Sequence, residues 1–178
     1  MAMATVLRAN AGTAVQVPRW ALAFYLRHWP VVAGICLVPA TQRFVFALWG
    51  SHLPAGADTL LEVLAELARL LLLAVVVRLA ILADDRLRPL RAGDAWPRVR
   101  AFTRRHWPSL LVQCLLLLAA VVAFDIIPER VVIRWVPEAA QPLYWAVLLA
   151  IKNLTIIAYT MIWLVGALRQ MLLTTPER

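Results

Sequence analysis

Between Trp107 and Asp125 stand seventeen consecutive residues without a charge, PSLLVQCLLLLAAVVAF. No other feature constrains the chain as much. A helix needs about 20 mostly apolar residues to cross a hydrocarbon core near 30 Å thick. In that medium each backbone N–H and C=O must be bonded within the segment, so a lone stretch has to be helical. Three more stretches are of the same kind, and together the four cover about 30–50, 60–83, 108–127 and 143–168. Composition agrees. The chain is 63% hydrophobic over 178 residues, against roughly 45–50% apolar residues in a soluble domain. The expectation is an all-α integral membrane protein with four transmembrane helices.

The charge of +8 would suggest nucleic acid in a soluble protein. Here the arginines lie between the apolar stretches, so membrane topology accounts for them and a nucleic-acid partner is not expected. The segment DDRLRPLRAGDAWPRVRAFTRR at 84–105 holds seven arginines. Arg8, Arg19 and Arg27 precede the first stretch, and Arg169 and Arg178 follow the last. By contrast, 50–58 has no Lys or Arg, and 128–142 has only Arg130 and Arg134. The positive-inside rule then expects both termini and the central linker in the cytoplasm, making this a multi-pass protein of the cytoplasmic (inner) membrane. Trp20, Trp29, Trp96, Trp107 and Trp163 fall near the inner interface, and Trp49, Trp135 and Trp145 near the outer one. The N-terminus has no continuous apolar signal-peptide core. Seventeen arginines against the single Lys152 read as the codon usage of a high-GC genome, such as an actinobacterial one.

One phrase is written twice. FYLRHWP at 24–30 returns as FTRRHWP at 102–108, and Cys36 and Cys114 each stand six residues after the proline. Pro30 and Pro108 suit a first helical turn, where a missing N–H costs nothing. Trp29 and Trp107 sit at headgroup depth, and Arg27 and Arg105 can reach lipid phosphates. Trp96, Val99 and Phe102 recur every three residues among Arg98, Arg100, Arg104 and Arg105, as in a short amphipathic helix lying on the inner leaflet. Trp20 and Phe24 form a weaker version. The phrase therefore reads as a membrane-entry elbow, with Arg27, His28, Trp29, Arg105, His106 and Trp107 as inner-interface anchors. The architecture expected is two tandem hairpin repeats, each preceded by an elbow helix and related by an axis along the membrane normal. The boundaries are a cytoplasmic tail at 1–17, one repeat at 18–95 and the other at 96–178.

Candidate chemistry is sparse. His28 and His106 could be imagined as paired haem ligands, but they precede the helix-starting proline and stand between Arg and Trp rather than within the apolar core. No cofactor and no metal are expected. Cys36 and Cys114 read as core packing. Nothing in the sequence has the order of a Ser/His/Asp triad, a glycine-rich phosphate loop or HExxH, so a non-enzymatic role is expected.

Charges within the spans carry more. Glu62, Glu66 and Arg69 are spaced i, i+4, i+7 on one helix face. Arg43 interrupts the first span, and Lys152 opens a polar stripe with Asn153, Thr155, Tyr159 and Thr160 on the fourth. At about 1.5 Å rise per residue, Arg43, Glu66, Arg69 and Lys152 lie roughly 9–14 Å below the outer surface. Each such charge costs at least about 2.5–3.5 kcal/mol at mid-membrane, so it needs a partner. With Glu62 and Asp125 nearer the surface, three cations face one well-placed anion, Glu66. The missing acid would come from another subunit, an anionic phospholipid headgroup or a substrate. Pairing within the chain, Glu66 with Arg69 and Arg43, competes with that reading.

Four short-looped helices offer no ATP-binding motif and no second bundle to rock against. The function expected is a non-catalytic accessory subunit of a larger membrane complex, with other integral membrane subunits as partners. A lipid or envelope-precursor transport assembly is the host considered first, and a respiratory complex after it. The competing class is a small homo-oligomeric transporter or lipid-binding protein that uses the charged belt, with a membrane enzyme behind it. The run RVVIRWV at 130–136 is rich in strand-forming residues and is expected to add to a partner's sheet edge or lie on the membrane.

Overall fold

The computed structural model describes residues 2–54, 56–90 and 92–174. Arg91 and Arg178, counted above in the basic flanks, lie outside them. The described chain is helical, with no strand. The order is α1 (Ala2–Arg27), α2 (Trp29–Trp49), α3 (Ala57–Val77), α4 (Ala92–Val121), α5 (Ile127–Arg130), α6 (Gln141–Lys152) and α7 (Ala158–Leu173). Three wide π turns are set into these helices: Arg78–Leu82 after α3, Val122–Ile126 after α4, and Asn153–Ile157 joining α6 to α7.

Local chemistry explains the breaks. His28 separates α1 from α2 with φ −112° and ψ 19°, and Pro30 occupies the first turn of α2. His106 breaks α4 with nearly the same angles, φ −116° and ψ 23°. Both copies of the repeated phrase thus bend at the histidine, because the proline two residues later removes an N–H and disfavours helical geometry upstream. The first elbow helix is longer than expected, since α1 begins at Ala2 and takes in residues 2–17 of the expected tail. At the start of α3, Gly56 has φ +87°, a left-handed conformation open to glycine. Asp58 follows in the first turn, where the helix dipole favours an acid.

Three stretches, Trp29–His52, Gly93–Trp135 and Glu138–Leu173, are long and apolar enough to cross a membrane. The expected second span is a helix too, but Glu62, Glu66 and Arg69 interrupt α3 and it is not one of the three. Burial runs opposite to a water-soluble fold. Leu60, Leu70, Leu115 and Leu118 are exposed, whereas Gln42, Ser109, Gln113, Lys152 and Asn153 are buried. Lipid tails are as apolar as leucine, so packing in a bilayer favours small and polar residues between helices.

The core gathers Val17, Ala21 and Phe24 of α1, Val32 and Cys36 of α2, Leu72 and Val76 of α3, and Ile162, Trp163 and Val165 of α7. α2 packs on α3 and α6, while α1 packs on α7 and α4, so the chain changes partners at His28. Tyr25 donates to the Leu154 carbonyl at 2.8 Å, inside the π turn that joins α6 to α7. Tyr159 donates to the Pro18 carbonyl at 2.9 Å. A Cβ on Gly166 would lie 2.6 Å from the Trp20 ring, so glycine is what lets α1 approach α7 there.

Three expectations are corrected. RVVIRWV forms no strand: Ile127–Arg130 is helical and Val132–Trp135 is a 3₁₀ turn. Local bonds from Val131 N to Ile127 O and from Arg134 N to Val131 O satisfy the backbone, which a lone strand would leave unpaired. Cys114 is exposed, unlike buried Cys36: it lies on the face of α4 turned away from the core, while Ser109, Gln113 and Leu117 face inward. Trp163 is buried in that core rather than set at a lipid interface.

Candidate functional site

The belt of charges assembles around α6. Lys152 is its last residue, and its side chain is only 8% exposed. Its ammonium donates to Glu129 Oε1 at 2.6 Å and pairs with Asp125 as well. The two acids come from the far end of the third apolar stretch: Asp125 sits in the π turn after α4, and Glu129 in α5. They stand four residues apart in a continuous helical run and share a face. Pro128 falls within that run, two residues past the end of the π turn. The wider turn suits a proline, whose ring clashes with the carbonyl four residues back in a regular helix. Tyr144 of α6 donates to the Pro128 carbonyl at 2.9 Å and ties α5 beside the lysine.

Asn153, next in sequence and also buried, turns to the other neighbour. Its Oδ1 accepts from Arg69 at 3.4 Å, while its Nδ2 donates to the Leu149 carbonyl at 2.8 Å. Arg69 also pairs with Glu66, one turn away on α3. Two successive residues at the junction of α6 and the π turn therefore fasten α5 on one side and α3 on the other. Nearer the start of α3, Arg43 of α2 donates to Glu62 at 3.4 Å.

The structure thus brings Glu66, Arg69 and Asn153 together and places Arg43 with Glu62 rather than with Glu66. Lys152 receives two carboxylates of its own chain, so the three cations meet four acids and no acid is missing. Glu129 is not apparent in the sequence as a partner of Lys152, because Pro128 closes the apolar stretch before it. The i, i+4 spacing of Asp125 and Glu129, continued through the proline, is the signal that could have found it. Buried pairs of this kind cost desolvation, yet breaking one strands a charge.

Some polar atoms stay unmatched. Gln42 of α2 is 3% exposed, and neither its Oε1 nor its Nε2 has a partner. It borders a cleft of about 370 Å³ between α2 and α3, whose other walls include Leu37, Val38, Leu61 and Leu64. On α3, the side chains of Glu62 and Glu66 are 57% and 56% exposed amid exposed leucines.

The elbow residues form matched pairs. His28 stacks on Phe24 with ring centroids 4.4 Å apart, and His106 on Phe102 at 4.8 Å. His28 Nδ1 lies 3.1 Å from the Phe24 carbonyl. Arg27, Trp29, Arg105 and Trp107 are exposed. Among the described residues no group of three or more His, Cys, Asp or Glu could hold a metal.

Compared with known protein families, curated proteins and solved structures, the chain has no significant match. Its class rests on its own features. Three helices able to cross a membrane, leucines outside and an ion-paired lysine buried inside are the features of a multi-pass membrane protein.

Proposed function

We propose that the chain is a non-catalytic accessory subunit of a larger membrane complex. It is built as four spans in two tandem hairpins, with α3 as the second span, both termini on the cytoplasmic side, and its place in the cytoplasmic membrane. The matched angles at His28 and His106 and the matched histidine–phenylalanine stacks support the duplication.

One observation carries the role: α3, which forms one wall of the α2–α3 cleft, carries acids half open on an apolar surface. Glu62 and Glu66 hold one arginine each with more than half of their side chains open among exposed leucines. Acyl chains offer no hydrogen bonds, so such groups are costly against lipid. A neighbouring transmembrane helix carrying a donor or a cation satisfies them and packs into the cleft at the same time. The paired belt behind the seam then holds the bundle rigid for docking.

Glu62→Gln separates this role from a purely internal one. In the isolated chain the change weakens an exposed pair with Arg43 and should cost less than about 1 kcal/mol. In native membranes it should reduce recovery of the partner subunit with a tagged chain several-fold. Unchanged recovery at unchanged stability would remove the seam as the docking face. Recovery of self-associated chain alone would favour the small homo-oligomeric transporter.

A further inference from the structure

About 25 Å along the helix from Lys152, a second polar site lies at the end of α7. A cavity of about 450 Å³ opens between α1, the turn after Asp84, the elbow of α4 and the last turn of α7. Its walls include Trp20, Arg86, Phe102, His106, Arg169 and Thr174, and none of the residues lining it is acidic.

The Arg169 guanidinium is held in position, and so is the backbone of Arg86. Asp84 accepts from Arg169 Nε at 3.0 Å and from its terminal nitrogen at 2.5 Å. The other oxygen of Asp84 accepts the Arg86 backbone N–H at 3.0 Å. One carboxylate thus orients the guanidinium of Arg169 and the backbone that carries the guanidinium of Arg86. The Arg169 carbon lies 5.3 Å from the centre of the Trp20 ring, which fixes the guanidinium plane from another side. Trp20 in turn reaches this place only because Gly166 has no Cβ. Asp84 bonds the guanidinium of Arg169 and only the backbone of Arg86, and it is not among the residues lining the cavity. Such a balance leaves the cavity positive, with an imidazole and the Thr174 hydroxyl as further hydrogen-bonding groups.

We infer that this cavity binds the phosphate group of an organic phosphate ester. Arginine forks match phosphate oxygens in geometry as well as charge. Pockets of about 300–1,000 Å³ hold ligands well beyond the size of bare phosphate, so an organic part is needed to fill this one. Trp20, Phe102 and Leu173 supply apolar wall for it. Two sources share this chemistry: the headgroup of an anionic phospholipid, as in basic pockets between membrane helices, and a soluble phosphate ester. The cavity shares no residue with the α2–α3 seam, so failure of the subunit reading leaves this inference intact.

The test uses the full chain and two probes. Phosphatidylglycerol is titrated into phosphatidylcholine nanodiscs and bound lipid is counted by native mass spectrometry. Glycerol phosphate is titrated into the detergent-solubilised chain by calorimetry. Arg86→Gln should weaken whichever probe binds by about tenfold, the loss of one charge-assisted bond. Arg88→Gln removes the same charge from a residue bonded to Asp85 at 3.1 Å and not lining the cavity, and should leave binding unchanged. Binding of phosphatidylglycerol alone identifies a lipid site, and binding of glycerol phosphate identifies a soluble ester. No saturable binding of either probe, or equal losses in the two variants, overturns the inference.

Discussion

Lys152→Met tests the centre of the belt most directly. Methionine keeps the straight side chain and the apolar packing but removes the ammonium that Asp125 and Glu129 share. Stranding a fully buried partner costs about 3–5 kcal/mol. The two carboxylates are not fully buried, with 44% and 33% of their side chains exposed, and exposure screens part of the penalty. The expected loss is therefore about 2–3 kcal/mol, read as reversible unfolding of the isolated chain in mixed micelles. Adding Asp125→Asn and Glu129→Gln removes the stranded charges, and the triple variant should recover to within about 1 kcal/mol of the starting chain. If Lys152→Met alone costs under about 0.5 kcal/mol, the pairing is not structural. A triple variant as unstable as the single one would show that charge stranding is not the cause.

Two further outcomes are expected. Burial alone would raise the Asp84 pKa, but the Arg86 N–H together with the hydrogen bond and charge of Arg169 outweighs it, so the carboxyl titrates below its ordinary value. A depressed folded pKa stabilises fully above the unfolded value near about 4 and is lost as pH falls through the folded one. Asp84→Asn should thus cost about 1 kcal/mol at neutral pH, and its unfolding midpoint should converge with the unsubstituted chain in strong acid; a gap that widens there refutes the assignment. For topology, with Cys36 and Cys114 replaced by alanine, a cysteine at Ala139 should label with an impermeant thiol reagent in intact cells and one at Ala92 should not. Labelling at Ala92 would reverse the orientation.

The apolar medium and the helices follow from local sequence. Seventeen uncharged residues in a row leave a backbone few ways to satisfy itself, and a proline two positions after each of two histidines bends the chain wherever the rest of it goes. These are local facts, and His28 and His106 bend as their neighbours require. Local propensity misled at RVVIRWV, where β-branched residues follow a helix already under way and continue its local bonding. Which charge meets which was decided by the tertiary structure. Each π turn adds a residue to the helical repeat and rotates all later side chains by about 100° relative to the face that periodicity would assign. The turn at Val122–Ile126 contains Asp125 and precedes Glu129, and the turn at Asn153–Ile157 starts directly after Lys152. Asp84 and Arg169 meet across 85 positions. The cavity beside them is walled by Trp20, which settles against Gly166, a contact between two helices far apart in the sequence.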